Sequence, residues 1–250
     1  MKIVRCTYEK NTFYGVLREG MIYPVDGDIF GSISTLEGGV ALEKVTLLPP
    51  CEPTKIIAVG LNYSEHAKEM QEAQLKMPVL FMKPTTALLA PGGTSRRPKE
   101  SERVDYEAEL AVVIGKTCYH VTPEEVPDYV LGYTCLNDVT ARDLQKADGQ
   151  WTRAKGFNTF APMGPWIETE LDPNGLEIRL EVNGTVRQSG NTDMMLFSPA
   201  RLVSFISGIM TLLPGDVITT GTPAGIGPLQ SGDTVSVIID KIGILTNYME

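Results

Sequence analysis

The segment Val104-Asp105-Tyr106-Glu107-Ala108-Glu109-Leu110-Ala111-Val112-Val113-Ile114 reads as one β-strand, because β-branched and small apolar residues fit a pleated, buried surface. Side chains alternate along a strand. Glu107 and Glu109 therefore share a face with Ala111 and Val113, while Tyr106, Ala108, Leu110, Val112 and Ile114 occupy the other. A face that continues into Ala111 and Val113 is not simply a wet one. Two carboxylates side by side in a partly dry place repel each other, so one takes a proton or a cation sits between them. The bland alternative is a half-exposed edge strand with two solvated glutamates.

Working outward, residues 55–59, 78–82 and 129–136 also read as short strands. Residues 176–182 and 185–188 form a hairpin whose Asn183-Gly184 turn is of type I′. Residues 234–239 and 242–248 are strands again. Helices are few. Residues 62–74 turn helical with Ser64 as N-cap, residues 123–126 make a helical turn, and Ser198-Pro199 opens a helix whose face is Leu202, Val203, Ile206, Ile209 and Met210. Many short strands with few helices indicate a mostly β, α+β chain, not a doubly wound sheet. At the N-terminal end, residues 13–17 and 21–25 flank the turn Arg18-Glu19-Gly20. Leu48-Pro49-Pro50-Cys51-Glu52-Pro53-Thr54 carries three prolines in seven residues and reads as a linker. The expected division is a small N-terminal β domain over residues 1–50 and a larger domain over 55–250.

Composition narrows the function. The chain has 250 residues, 42% apolar and 21% charged, an ordinary globular mixture. A net charge of -9 argues against nucleic acid and against an anionic membrane surface as partners. An anionic substrate would need locally concentrated positive charge. The start of the chain has no apolar signal core, and the apolar stretch 202–213 is too short and too interrupted to span a bilayer. Cys6, Cys51, Cys118 and Cys135 form no C-x-x-C pair, which points to a reduced, cytoplasmic protein without a zinc site.

A third acid, Asp138, follows the strand at 129–136. Its alternative role is a helix N-cap before Thr140-Ala141-Arg142-Asp143. Three carboxylates without Cys or His partners make a hard-oxygen site, which selects Mg²⁺ or Mn²⁺, with Ca²⁺ as a third candidate, over Zn²⁺. His66 lies three residues before Glu69, so on a helix the two share a face. A carboxylate beside an imidazole orients it and raises its basicity, although a surface ion pair would look the same. His120 has no such neighbour and reads as structural. The run Gly221-Thr222-Pro223-Ala224-Gly225-Ile226-Gly227 lacks the Gly-Lys-Ser/Thr ending of a phosphate loop and reads as a tight substrate-side loop.

Six segments, in order, resemble the fumarylacetoacetate hydrolase family over residues 55–245: Gly60-Leu61-Asn62-Tyr63-Ser64-Glu65-His66-Ala67-Lys68-Glu69, Phe81-Met82-Lys83-Pro84, Asp105-Tyr106-Glu107-Ala108-Glu109-Leu110, Asn137-Asp138-Val139-Thr140-Ala141-Arg142-Asp143-Leu144-Gln145, Ala154-Lys155-Gly156-Phe157 and Thr220-Gly221-Thr222-Pro223-Ala224-Gly225. The resemblance implies a mixed β-sandwich roll, a homodimer and a small-molecule 2-oxo acid substrate. It gives Glu107, Glu109 and Asp138 the metal-ligand roles. It makes His66 and Glu69 the acid–base pair with Lys155 beside them, and Arg142, Gln145 and Thr222 substrate contacts. Where true fumarylacetoacetate hydrolases carry a fourth carboxylate ligand upstream of His66, this chain has Ala58-Val59-Gly60, which sets fumarylacetoacetate itself aside.

A 2-oxo acid can chelate a metal through its carboxylate and keto oxygen, and the metal then stabilises an enolate at C3. Hydrolysis of an acylpyruvate or fumarylpyruvate and decarboxylation of oxaloacetate both draw on that device. So does isomerisation of a 5-carboxymethyl-2-hydroxymuconate-type dienol acid. A non-catalytic protein that keeps the metal fold is the alternative from another class. Few apolar anchors between residues 64 and 77 lead to one more expectation, a lid that closes His66 and Glu69 over bound substrate.

Overall fold

The computed structural model describes residues 1–69 and 76–250, without the side chains of residues 67 and 68. Of the lid expected over 64–77, residues 70–75 lie outside the described residues. Of the helix expected over 62–74, Ser64–Glu69 is helical, while Asn62 and Tyr63 precede it, Tyr63 in a β-bridge with Met195.

The architecture is mostly β. In a sheet of thirteen strands, ten run in order from Ser34–Thr35 through Met21–Asp26, Asn11–Arg18, Lys2–Tyr8, Ala161–Glu168, Val130–Asn137, Ala108–Ile114, Val217–Thr219 and Ile56–Gly60 to Val79–Lys83, and the short strands Val40–Ala41, Thr46–Leu47 and Leu88–Leu89 pair alongside. A five-stranded sheet holds the hairpin Glu177–Val182/Thr185–Asn191 with Thr234–Ile239 and Gly243–Met249. Asn183 and Gly184 both have positive φ, 53° and 74°, as a type I′ turn requires. The main core lies between the sheets. There Leu110 and Leu136 from one sheet join Leu180, Val237 and Leu245 from the other, each contributing roughly 1.5–3 kcal/mol by leaving water.

The N-terminal strands do not form a sheet of their own. Lys2–Tyr8 pairs antiparallel with Ala161–Glu168, Lys2 opposite Glu168 and Ile3 opposite Ile167, so the first meander extends the large sheet.

The glutamate strand departs from its expected form. It is broken at Glu107: Val104–Tyr106 pairs with Thr140–Ala141 and Gly227–Pro228, whereas Ala108–Ile114 sits in the large sheet. The break occurs because side chains replace the ladder. Glu107 N–H donates to Asn137 Oδ1 at 2.9 Å and Ala108 N–H to Gln188 Oε1 at 2.9 Å. Ala108–Ile114 is flanked on both sides and every residue of it is buried, which removes the solvated-edge alternative.

The helix after Ser198 also differs. It ends at Ser207, with Leu202, Val203 and Ile206 buried, while Ile209 lies beyond the helix and is exposed. All four cysteines are free and buried. Among the described residues no helix is long and apolar enough to cross a membrane.

Candidate active site

The large sheet delivers the acids from two adjacent strands. Ala108–Ile114 presents Glu109, the break before it presents Glu107, and the end of Val130–Asn137 carries the chain to Asp138. One carboxylate oxygen from each of the three lies within 4.8 Å of the others, and all three residues are buried. Asp138 is no helix cap, since the following helix Arg142–Asp148 starts from Ala141 without a side-chain cap.

Cations surround two of the acids. Lys155 Nζ donates to Glu107 Oε2 at 2.9 Å and to Asp138 Oδ2 at 2.5 Å. Lys83 donates to Asp138 Oδ1 and to Val139 O. Arg142 holds Glu107 through NH2, Asp105 through Nε at 2.9 Å, and Gln145 Oε1 through NH1. Glu109 has no ion-pair partner among the described residues. Its Oε2 accepts from Thr219 Oγ1 and from Gly221 N at 2.7 Å. Gly221 has φ +92°, and a Cβ there would meet Asn62 Cβ at 2.8 Å, so glycine is what lets this amide reach the carboxylate.

These partners set the protonation. Burial pushes Glu107 up, but Lys155 and Arg142, with His66, outweigh it and hold the carboxyl far below the usual range. Glu109 goes the other way: burial, then the charges of Asp138 and Glu107, push it well above that range. Burial pulls Lys83 down, with Asp138 opposing. For the equally buried Lys155, Asp138 and Glu107 more than offset burial.

Eight of the nine residues singled out from the sequence line a single pocket. Glu107, Glu109 and Asp138 form one part, Arg142, Gln145 and Lys155 another, and His66 and Thr222 close it. The ninth, Glu69, stands behind His66. Its Oε2 is 3.0 Å from His66 Nδ1, which leaves Nε2 as the ring nitrogen available to a ligand. Both Glu69 oxygens also face the Gly225 amide, at 3.2 and 3.3 Å. Thr222 Oγ1 accepts from Gln188 Nε2 at 2.8 Å, and Gln188 is the side chain that also takes the Ala108 amide.

The acids fit a divalent cation. The donor set is all oxygen, one of its members has no counter-charge, and a buried carboxylate with a raised pKa is what such a cluster shows when a positive charge would be welcome.

Sequence reasoning gave no role to Lys83, Asp105, Gln188 or Asn62. Asn62 is fully buried and donates to Phe197 O at 2.9 Å and Thr220 O at 2.7 Å, while accepting from Phe197 N at 2.8 Å. Asn62, Lys83 and Asp105 lie inside the quoted segments, but a polar residue within a motif does not by itself distinguish a buried clamp from a surface group.

A family model described as fumarylacetoacetate (FAA) hydrolase, C-terminal, matches residues 55–250. A model described as Rv2993c-like, N-terminal, matches residues 1–50. A protein of Archaeoglobus fulgidus, described as uncharacterized, is 54% identical over 229 residues, 91% of this chain and 92% of that one. Mitochondrial oxaloacetate tautomerase Fahd2a of Rattus norvegicus is 41% identical over 216 residues, 82% of this chain and 69% of that one. The crystal structure of 5-carboxymethyl-2-hydroxymuconate delta-isomerase from Mycobacterium smegmatis matches with a TM-score of 0.95 at 42% identity, covering 100% of this chain and 99% of that one. With the motifs, the sheets and the carboxylate pocket in agreement, the chain belongs to the fumarylacetoacetate hydrolase family.

Proposed function

We propose that the protein is a divalent-metal-dependent enzyme that moves a proton at C3 of a 2-oxo carboxylic acid. The observation that carries this reading is the convergence of a buried carboxylate triad and the His66–Glu69 pair on one pocket. Mg²⁺ or Mn²⁺ held by Glu107, Glu109 and Asp138 would supply positive charge to the substrate's carboxylate and keto oxygen as negative charge builds there. His66 Nε2 takes or returns the C3 proton. Glu69 fixes the ring through Nδ1 and favours its protonated form during the transfer. Lys155, already the donor to Glu107 and Asp138, adds a positive charge on the substrate side of the acids. Arg142 reaches the pocket with its guanidinium committed to Asp105, Glu107 and Gln145, so it supports the site as a fixed charge.

Loss of the C3 proton together with protonation of the keto oxygen gives keto–enol tautomerisation, and loss of the enol proton with protonation at another carbon of the dienolate gives isomerisation of a dienol acid. Hydrolysis of an acylpyruvate and decarboxylation of oxaloacetate add a bond cleavage. The names of the rat and mycobacterial relatives, a tautomerase and an isomerase, favour the reactions without cleavage. A homodimer belongs to the same reading. Purified protein with Mg²⁺ or Mn²⁺ is assayed for turnover of oxaloacetate, acetylpyruvate and a hydroxymuconate-type dienol. Glu107→Ala, Glu109→Ala and Asp138→Ala each abolish activity, as does EDTA. Full activity after exhaustive chelation would sink the proposal.

A further inference from the structure

Gln188 is the only buried residue of the edge strand Thr185–Asn191 in the five-stranded sheet. It belongs to none of the six sequence motifs and does not line the pocket. A buried amide is costly unless its polar groups are met. Here the oxygen and both N–H groups are met, and all three bonds reach toward the site: Oε1 to Ala108 N, Nε2 to Thr222 Oγ1 and to Pro223 O.

The directions of these bonds are forced. A backbone N–H only donates, so the Gln188 atom 2.9 Å from Ala108 N is the oxygen. A carbonyl oxygen only accepts, so the atom 2.7 Å from Pro223 O is the nitrogen. The two assignments are independent and agree on one orientation of the amide. The nitrogen gives its other hydrogen to Thr222 Oγ1 at 2.8 Å. The hydroxyl is therefore an acceptor on that side, and its own hydrogen points elsewhere. Thr222 is buried yet lines the pocket, and among the described residues its hydroxyl has no other partner. Close packing keeps Gln188 within reach. A Cβ at Gly190 would stand 2.8 Å from Pro223 Cβ, and one at Gly225 would stand 2.4 Å from Arg187 O. A glycine on the strand and another on the loop thus let residues 222–225 lie flat against residues 187–190.

We infer that Gln188 is a positioning residue that makes the Thr222 hydroxyl a hydrogen-bond donor to an anionic oxygen of the substrate. This role rests on the 2-oxo acid reading above, whose substrate brings a carboxylate into the pocket. A carboxylate only accepts. A hydroxyl free to rotate presents it with a lone pair part of the time, whereas one whose lone pair is already occupied meets it with the hydrogen. A donor aimed in advance needs no reorganisation when the anion arrives. The same amide also holds the Ala108 N–H beside Glu107, so one side chain braces both the broken strand and the substrate-side loop.

The test uses the full chain and reads calorimetric Kd for Mn²⁺ and, on the Mn²⁺-loaded protein, for oxalate. Gln188→Glu keeps an acceptor for the Ala108 N–H but presents an oxygen to Thr222, whose hydroxyl must then donate to residue 188 and turn a lone pair to the pocket. Thr222→Val removes the hydroxyl and Thr222→Ser keeps it. Gln188→Glu and Thr222→Val should each weaken oxalate by about tenfold or more, and Thr222→Ser by less than about threefold, with Mn²⁺ affinity held within about fivefold. The added charge also repels oxalate, and the double variant separates the two effects. Repulsion costs the same with or without the Thr222 hydroxyl, whereas reversal has nothing to act on once the hydroxyl is gone, so Gln188→Glu should cost at least about fivefold less when combined with Thr222→Val. Should thermal melting show that Gln188→Glu does not fold, Gln188→Met enters the same cycle without a charge, and its cost must likewise depend on the hydroxyl. Equal cost in both backgrounds would overturn the role. So would a fall in Mn²⁺ affinity in step with oxalate affinity, since Gln188 would then act by aiming the acids. Mn²⁺-loaded wild type that binds no oxalate would overturn the 2-oxo acid reading, and this role with it.

Discussion

The substitution Glu109→Gln keeps the shape of a side chain whose Oε2 accepts from Thr219 and Gly221, and removes its charge. The carboxylate oxygens of Glu107, Glu109 and Asp138 lie within 4.8 Å of one another, a distance at which two unit charges repel by about 3 kcal/mol in a medium of effective dielectric ~20. If Glu109 instead escapes repulsion by holding a proton at neutral pH, the cost is about 1.4 kcal/mol for each pH unit above the ordinary carboxyl value of ~4.3, again on the order of 3 kcal/mol. Either way the metal-free wild type carries a strain that glutamine relieves, and after local relaxation about 1–3 kcal/mol should be recovered. The sign with pH follows from the raised pKa of Glu109: its contribution to stability is full below the ordinary carboxyl range and is lost as pH rises through the raised value. The advantage of the variant should therefore grow from acid toward neutral pH. Urea unfolding in EDTA measures it. With Mn²⁺ at a hundred times its Kd, wild type gains about 2.7 kcal/mol, whereas the variant, short of one ligand, gains little. A variant that loses more than ~1 kcal/mol in EDTA, or that keeps the full Mn²⁺ response, would refute the argument that Glu109 is an uncompensated acid awaiting a cation.

Three further outcomes can be checked. His66→Ala should lower turnover by about 10²- to 10⁴-fold with Mn²⁺ affinity nearly intact; if affinity fell in parallel, His66 would be a ligand. Lys83→Met breaks a fully buried pair with Asp138 and should cost about 3–5 kcal/mol in EDTA, part of which Mn²⁺ restores; unchanged unfolding in EDTA would show that Asp138 does not need it. Asn62→Leu removes the three hydrogen bonds that tie residue 62 to Phe197 and Thr220, an expected loss of at least about 3 kcal/mol by thermal or urea unfolding, and a wild-type midpoint would contradict that role.

Much of the site was legible in the sequence because strand alternation is a strict rule. It put Glu107 and Glu109 on one face, and they are there, even though the strand is broken between them and a uniform period could not reveal the break. The Asn137 and Gln188 side chains that cause it come from residues 30 and 80 positions away. The hairpins at Glu19-Gly20 and Asn183-Gly184 were equally legible, since two-residue turns with positive φ are local events. Lys83 was not. A lysine ending a strand ordinarily reaches water, and only the assembled sheet shows it aimed inward at Asp138. The same holds for Trp151, whose fit against Gly60 depends on two segments about ninety residues apart. Charge told a partial story: a net charge of -9 hides a pocket lined by Arg142 and Lys155, with Lys83 paired to Asp138 outside that lining.

The pairing of Lys2 with Glu168 also has a consequence in time. On a ribosome, the first three strands can fold into their meander as soon as they emerge, because each pairs with its sequence neighbour. The strand that receives them, Ala161–Glu168, is made only much later. At 5–20 residues per second the delay is on the order of ten to thirty seconds. Thr46–Leu47 can cover Cys6 and Thr7 early, but throughout that interval the Lys2–Ile3 end of the same edge waits beside a growing, unfinished sheet. Pulsed proteolysis of stalled nascent chains would show the meander acquiring its final resistance only after residue 168 has cleared the exit tunnel. Resistance gained before then would mean that the N-terminal strands stand without the rest.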